Sequence, residues 1–222
     1  MDLPSPELRD SANVVVADAR RLLTDRARPL LVAIDGASGS GKSVLAALVA
    51  ERLGAALVPA DDFFSAQFTD ADWNARTPAR RAADALDWRR LRAEAMEPLL
   101  AGRPARWYPF DFSGGARLDG TYGFSTQAEV REPKRVILVE GAYACRPEFA
   151  DLIDWRVLVD APLEVRHRRL AQREDPRFLA AWHARWDAAE QWYFSQIMPA
   201  SAFDRVVTNI GSQESLDRPT DG

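Results

Sequence analysis

The sequence predicts a three-layer α/β domain, a mostly parallel sheet with helices on both faces. Three observations carry this expectation. Continuously apolar runs at residues 30–35, 135–140 and 155–160 have the composition of strands buried on both sides. Apolar residues at helical spacing separate these runs, so strand and helix alternate along the chain. A glycine-rich turn, Gly36-Ala-Ser-Gly-Ser-Gly-Lys-Ser43, joins the first strand to a helix, the setting of a phosphate-binding loop.

Leu8, Val15, Ala19 and Leu22, after Ser5 and Pro6, predict a helix over residues 5–27. The first strand, 30–35, feeds the loop, and a helix over 42–53 stops at Gly54. Residues 55–59 form a short second strand that delivers Asp61 and Asp62 to its carboxyl end. Residues 65–84 lack periodicity and read as a mobile excursion. Asp87 caps a helix running to Leu100, with Gly102 just past its end. Residues 104–131 mix Pro, Gly and aromatics, as loops and short antiparallel strands do. After the strands at 135–140 and 155–160, helices are expected at 163–172 and 178–197, then a last strand at 204–208. The chain divides into an N-terminal helical region (1–29) packed on the domain, the domain itself (30–210), and a disordered tail (211–222).

The loop states its chemistry residue by residue. Glycines at 36, 39 and 41 let the backbone curl so that successive N–H groups point at an anion, and the following helix adds the positive end of its dipole. Lys42 supplies a mobile positive charge for β- and γ-phosphates, and the Ser43 hydroxyl can occupy one position on Mg²⁺. The chain has only two lysines, Lys42 and Lys134, so a lysine at this position is poorly explained by composition. Together Gly36, Ala37, Ser38, Gly39, Ser40, Gly41, Lys42 and Ser43 read as the cradle of ATP or GTP, in a P-loop NTPase fold.

At 222 residues with 47% apolar residues the chain suits one generous soluble domain. A net charge of −4 offers no global attraction to nucleic acid or to an anionic membrane. A lone cysteine, Cys145, excludes an internal disulfide and reads as a small buried hydrophobe. No run is long enough to span a membrane and no leader pattern opens the chain, so a cytoplasmic location is expected.

Ligands of such sheets sit at the carboxyl ends of strands, which makes the acidic residues there informative. A carboxylate beside a triphosphate is unfavourable unless it holds the metal or handles a proton. Glu140 is assigned to the metal side with Ser43, and Asp61 to orienting and deprotonating an acceptor hydroxyl. Asp62 and Phe64, on the same turn, join the expected acceptor-binding set. Arg166, Arg169 and Arg173 fall on one helical face and predict an arginine-bearing helical lid over the phosphates, with Arg169 acting on the charge in transfer. Phe178, Trp182, Trp186, Ala189, Tyr193 and Ile197 form a core stripe. His167 and His183 lie on helices without a paired ligand in sequence and read as ordinary. Phe110 and Asp111, in a proline-bounded aromatic loop, are candidate acceptor contacts.

With these residues in place the chain resembles the uridine kinase-like group of P-loop kinases, whose wider relatives include phosphoribulokinase and pantothenate kinase. The matching pieces are residues 36–43, Pro59-Ala-Asp-Asp-Phe-Phe64, Asp84-Ala-Leu-Asp-Trp88, Pro109-Phe-Asp-Phe112, Val139-Glu-Gly141 and Asp160 through Arg173. The resemblance implies that Asp61 is the catalytic base and that Arg166, Arg169 and Arg173 contact phosphate. It also marks departures. Arg81-Ala-Ala-Asp84 stands where nucleoside kinases of the group carry Asp-His-Pro-Asp, and Ser113-Gly-Gly115 follows the aromatic loop in place of a histidine. Arg81 thus replaces a ribose-binding carboxylate.

The expectation is a Mg²⁺-dependent kinase transferring the γ-phosphoryl of ATP or GTP to a hydroxyl of a small metabolite, foremost a nucleoside. A kinase of another alcohol, such as pantothenate, a sugar or a sugar phosphate, is the alternative, because Arg76, Arg80 and Arg81 suit an anionic acceptor. A P-loop ATPase switch ranks below both. The expected partner is a small-molecule acceptor, without nucleic acid or membrane, and with a homo-oligomer left open.

Overall fold

The computed structural model describes residues 5–173 and 176–210, leaving aside the side chains of 173 and 176–178. The elements, in order, are α1 (Pro6–Leu23), β1 (Leu30–Asp35), α2 (Lys42–Leu53), β2 (Ala56–Pro59), α3 (Asp70–Ala75) and α4 (Pro78–Asp84). Next comes a continuous helical rod of α5 (Trp88–Arg90), a π-helical stretch (Leu91–Met96) and α6 (Glu97–Leu100). There follow β3 (Ala105–Trp107), β4 (Glu129–Arg131), β5 (Val136–Glu140), β6 (Trp155–Asp160), α7 (Leu163–Arg173), α8 (Pro176–Trp192), a π-helical stretch (Tyr193–Ile197) and β7 (Arg205–Thr208).

The main sheet has the order β2-β5-β1-β6-β7, with every neighbouring pair parallel. Because side chains alternate across a strand, the central strands feed two cores. Leu30, Val32 and Ile34 pack with Leu8, Val15, Leu45 and Val49 from α1 and α2. Leu31 and Ala33 pack with Phe63, Trp73, Leu91, Trp186 and Tyr193 on the other side. That is the expected three-layer arrangement, and it explains why β1 and β5 are buried along their whole length. With β1 central, the turn after it opens where successive connections leave the sheet in opposite directions, the usual place for a ligand crevice. β3 and β4 form a separate antiparallel pair. Cys145 is buried, as expected.

Two expectations need correcting. Helix α1 is shorter than 5–27: Thr24 leaves helical geometry and Asp25 takes a φ of 58°. The segment at 65–84 is not an irregular excursion but holds α3 and α4. Thr69 and Asp72 form a capping box for α3, and Thr77 caps α4 with Pro78 in its first turn. These caps are local sequence signals, and the short helices they start are too brief to show periodicity. The expected tail at 211–222 lies outside the described residues.

Candidate active site

The loop between β1 and α2 adopts a left-handed backbone at Gly39 (φ 78°) and Gly41 (φ 95°), conformations that a side chain disfavours. Each is also packed too tightly for a Cβ. One at Gly39 would lie 2.6 Å from the Arg166 carbonyl oxygen, and one at Gly41 would lie 2.4 Å from Asn209 Nδ2. Asp35, the last residue of β1, is fully buried beneath the loop. Its carboxylate accepts from the backbone N–H of Gly36 (2.8 Å), Tyr143 (2.9 Å) and Cys145 (2.8 Å) and from the Tyr193 hydroxyl (3.0 Å). Burial raises its pKa to about 6, against the pull of those hydrogen bonds and of Lys42. Asp35 therefore ties the loop to the turn after β5 and to the end of α8.

Glu140 ends β5, in register with Ile34 of the neighbouring β1. The Ser43 hydroxyl donates to Glu140 Oε2 at 3.2 Å, and burial lifts the Glu140 pKa to about 7, with Lys42 acting against it and Asp61 with it. Two hard oxygen ligands facing each other beside an acidic turn fit a divalent cation of the Mg²⁺ type, which would restore the carboxylate to its charged form. Asp61 and Asp62 sit on a 3₁₀ turn after β2 and part company. Asp61 lines the cleft, whereas Asp62 accepts from Trp107 Nε1 at 2.8 Å and its carbonyl from the Phe110 N–H at 2.7 Å.

The arginines of α7 reach the carbonyl side of the loop. Arg166 Nη1 donates to the Ser38 carbonyl (3.2 Å) and to Glu190 Oε2 (3.3 Å). Arg169 donates to the carbonyls of Gly39 and Ser40 (both 3.2 Å) and to Asn209 Oδ1 (2.9 Å). The side chain of Arg173 lies outside the described residues. From α8, Glu190 accepts from the Ser38 N–H (3.0 Å) and hydroxyl (2.6 Å). It is almost fully buried, which raises its pKa, while Ser38, Lys42 and Arg166 offset part of that effect.

One cleft of about 760 Å³ joins the loop to Asp61, Arg169 and Glu190. Ser38, Gly39, Gly41, Lys42 and Ser43 form its floor, with Asp61, Tyr143, Arg169 and Glu190 along the side. Phe64, Phe112, Trp182, Trp186 and Leu179 supply an aromatic and apolar wall. Tyr143 has a strained φ of 69°, and its buried hydroxyl makes no hydrogen bond among the described residues.

Several expected acceptor contacts are not on this wall. Arg81 donates to the carbonyls of Trp73 (2.8 Å), Arg185 (2.9 Å) and Asn74 (3.0 Å), stapling α4 to α3 and α8. Phe110 packs against Phe64, Phe112 and Tyr122 beneath the loop. Asp111 caps its own turn, accepting from Ser113 and Gly114. Of the Trp182 and Trp186 stripe, expected as core, both rings also face the cleft. The sequence reading missed Asp35, Glu190, Tyr143 and Asn209. Asp35 and Asn209 carried a signal, each being the polar residue at the carboxyl end of a strand. Glu190 is an acidic residue beside an apolar stripe.

A family model described as phosphoribulokinase/uridine kinase matches residues 31–177, well over half the chain. The chain belongs to the phosphoribulokinase/uridine kinase family. As a member it is an ATP-dependent phosphotransferase with the P-loop kinase fold. Uridine kinase of Deinococcus deserti is 30% identical over 157 residues, covering 68% of this chain and 72% of that protein. Uridine kinase of Clostridium perfringens strain SM101 is 29% identical over 152 residues, covering 66% and 69%. Among solved structures, a possible uridine kinase from Bacillus stearothermophilus superposes with a TM-score of 0.65 at 20% identity, covering 90% of this chain and 98% of that one. D-glycerate 3-kinase from Cryptococcus neoformans gives 0.56 at 15% identity, covering 92% and 96%. These structural likenesses speak for the fold of the family member described here.

Proposed function

We propose that this chain transfers the γ-phosphoryl group of Mg-ATP to a hydroxyl of a neutral acceptor carrying a flat ring, a nucleoside in the first instance. The observation that carries this reading is the single cleft in which Lys42 and Ser43 share space with Asp61 and with the rings of Phe64, Phe112, Trp182 and Trp186. The loop amides and Lys42 hold the β- and γ-phosphates. Ser43 and Glu140 hold Mg²⁺, which when bound neutralises charge on the β- and γ-oxygens. Asp61 orients the acceptor hydroxyl and takes its proton as the new P–O bond forms. Arg169, on the cleft side, is the guanidinium placed to stabilise the transferring group once phosphate competes for it with the loop carbonyls, and Arg166 and Arg173 are assigned the same part. The aromatic wall stacks the ring of the acceptor, and the apolar lining keeps water from competing as nucleophile.

An anionic acceptor is less well supported. Arg76 and Arg80 both pair with Asp84, and Arg81 is spent on three carbonyls, so the guanidiniums that suggested it are engaged elsewhere. The relatives named uridine kinase support a nucleoside, and a kinase in the cytoplasm is consistent with there being no membrane-spanning helix among the described residues. The test is initial rates with Mg-ATP across uridine, cytidine and a set of anionic alcohols. The nucleosides should be phosphorylated, and Phe112→Ala should raise their KM about tenfold, the worth of one stacking contact. Preferred turnover of the anionic alcohols, or hydrolysis that no alcohol stimulates, would overturn the assignment.

A further inference from the structure

The two histidines expected to be ordinary are brought together by the fold. His167 on α7 and His183 on α8 have ring centroids 3.9 Å apart, and both face Asp187. His167 Nε2 lies 2.8 Å and His183 Nδ1 3.2 Å from the same oxygen, Asp187 Oδ2. One ligand atom from each of the three residues falls within 4.8 Å of the others. His183 and Asp187 are four apart on one helix, so they share a face, and His167 completes the set from the neighbouring helix. The His183 Nδ1 atom is buried and, although 3.2 Å from Asp187 Oδ2, makes no hydrogen bond among the described residues. That is an unspent lone pair or donor at the centre of the cluster.

We propose that His167, His183 and Asp187 form a binding site for a transition-metal dication of the Zn²⁺ class, separate from the nucleotide's Mg²⁺. Tetrahedral coordination at about 2.0–2.1 Å separates neighbouring ligand atoms by roughly 3.3 Å. Here the two imidazoles lie 2.8 and 3.2 Å from Asp187 Oδ2, and all three ligand atoms fall within 4.8 Å, so a small outward shift of His167, now hydrogen-bonded to the carboxylate, would admit the ion. Two imidazoles and one carboxylate suit Zn²⁺, Co²⁺ or Ni²⁺, whereas Mg²⁺ favours an all-oxygen shell. Three protein ligands leave a fourth position for water. The side chains are 23–36% exposed, which gives the ion a path in. The bound ion would staple α7 to α8. Arg166 precedes His167 and Glu190 lies three residues beyond Asp187, so the staple would brace the two side chains that meet over Ser38 of the P-loop.

The test is titration of the chelator-treated full chain with Zn²⁺ by calorimetry and with Co²⁺ by visible absorption, both in excess Mg²⁺. One equivalent should bind, with the intense absorption of tetrahedral Co²⁺, and Zn²⁺ should raise the melting temperature. His167→Ala, His183→Ala and Asp187→Ala should each weaken uptake at least tenfold, as loss of a direct ligand must exceed the roughly 10–100-fold effect of losing a supporting group. His167 is the most exposed of the three, so its variant keeps the test valid if a more buried one fails to fold. Absence of uptake by the unaltered chain, a weak octahedral Co²⁺ spectrum, or uptake unchanged in His167→Ala would each overturn the proposal.

Discussion

Asp61 and Asp62 are adjacent in sequence but differently placed. The 3₁₀ turn after β2 sends one carboxylate into the cleft and the other to the indole of Trp107, a partner that is 45 residues away and invisible to local pattern. Asp61→Ala should lower turnover by about 10²–10⁴-fold, the range for losing a positioned base, while leaving Mg-ATP affinity and melting temperature nearly unchanged. Near-normal turnover would remove Asp61 from the mechanism. Arg81 illustrates the reverse error. Its place in the motif order suggests an acceptor contact, yet each of its three guanidinium nitrogens donates to a backbone carbonyl. Arg81→Ala should destabilise the protein to urea by about 1–2 kcal/mol, from two half-buried carbonyls left unpaired, with little change in acceptor KM. A large KM effect at unchanged stability would return Arg81 to the acceptor site.

At the scale of elements, the decisive packing is α7 against the P-loop. The Arg166 backbone touches Gly39 so closely that Gly39→Ala should push α7 away or distort the loop, weakening Mg-ATP binding at least about tenfold. Calorimetry on the purified variant checks this, and unchanged affinity would mean that the loop and helix move apart without cost. The long elements were legible because buried strands and amphipathic helices leave a period in the sequence. α3 and α4 were not, since helices this short reveal themselves only through caps such as Thr69 with Asp72. The direction in which Arg166 and Arg169 point was equally hidden. Helical spacing shows that they share a face, but which side of the loop that face meets depends on how α7 docks, with Glu190 and Asn209 as its partners.

For the molecule as a whole, three buried carboxyls converge under one lysine. Burial raises the pKa of Asp35 to about 6 and that of Glu140 to about 7, and raises that of Glu190 as well. A carboxyl with a raised folded-state pKa contributes stability that is complete below its unfolded value near 4 and is lost as pH rises through its folded value. Nucleotide-free protein should therefore melt higher near pH 5.5 than near pH 7.5, with Glu140 contributing about 2 kcal/mol across that window and Asp35 about 1 kcal/mol, since most of the Asp35 effect falls below pH 5.5. Exposed carboxyls with lowered values, such as Asp72 and Asp111, act in the opposite sense but only below about pH 4. A flat or rising profile of melting temperature across pH 5.5–7.5 would contradict this electrostatic picture. The layered fold and the phosphate loop were readable because strand burial and the Gly36–Ser43 spacing are local. The support beneath that loop, from Asp35, Tyr193 and Glu190, is assembled from residues up to 158 positions apart and emerges only in three dimensions. The most direct measurement of the central claim is a calorimetric titration of Mg-ATP into the intact chain and into Lys42→Ala. One saturable site is expected in the former and at least a hundredfold weaker binding in the latter, about 3 kcal/mol for a buried charge-assisted contact. No binding to the intact chain, or equal binding to both, would contradict that claim.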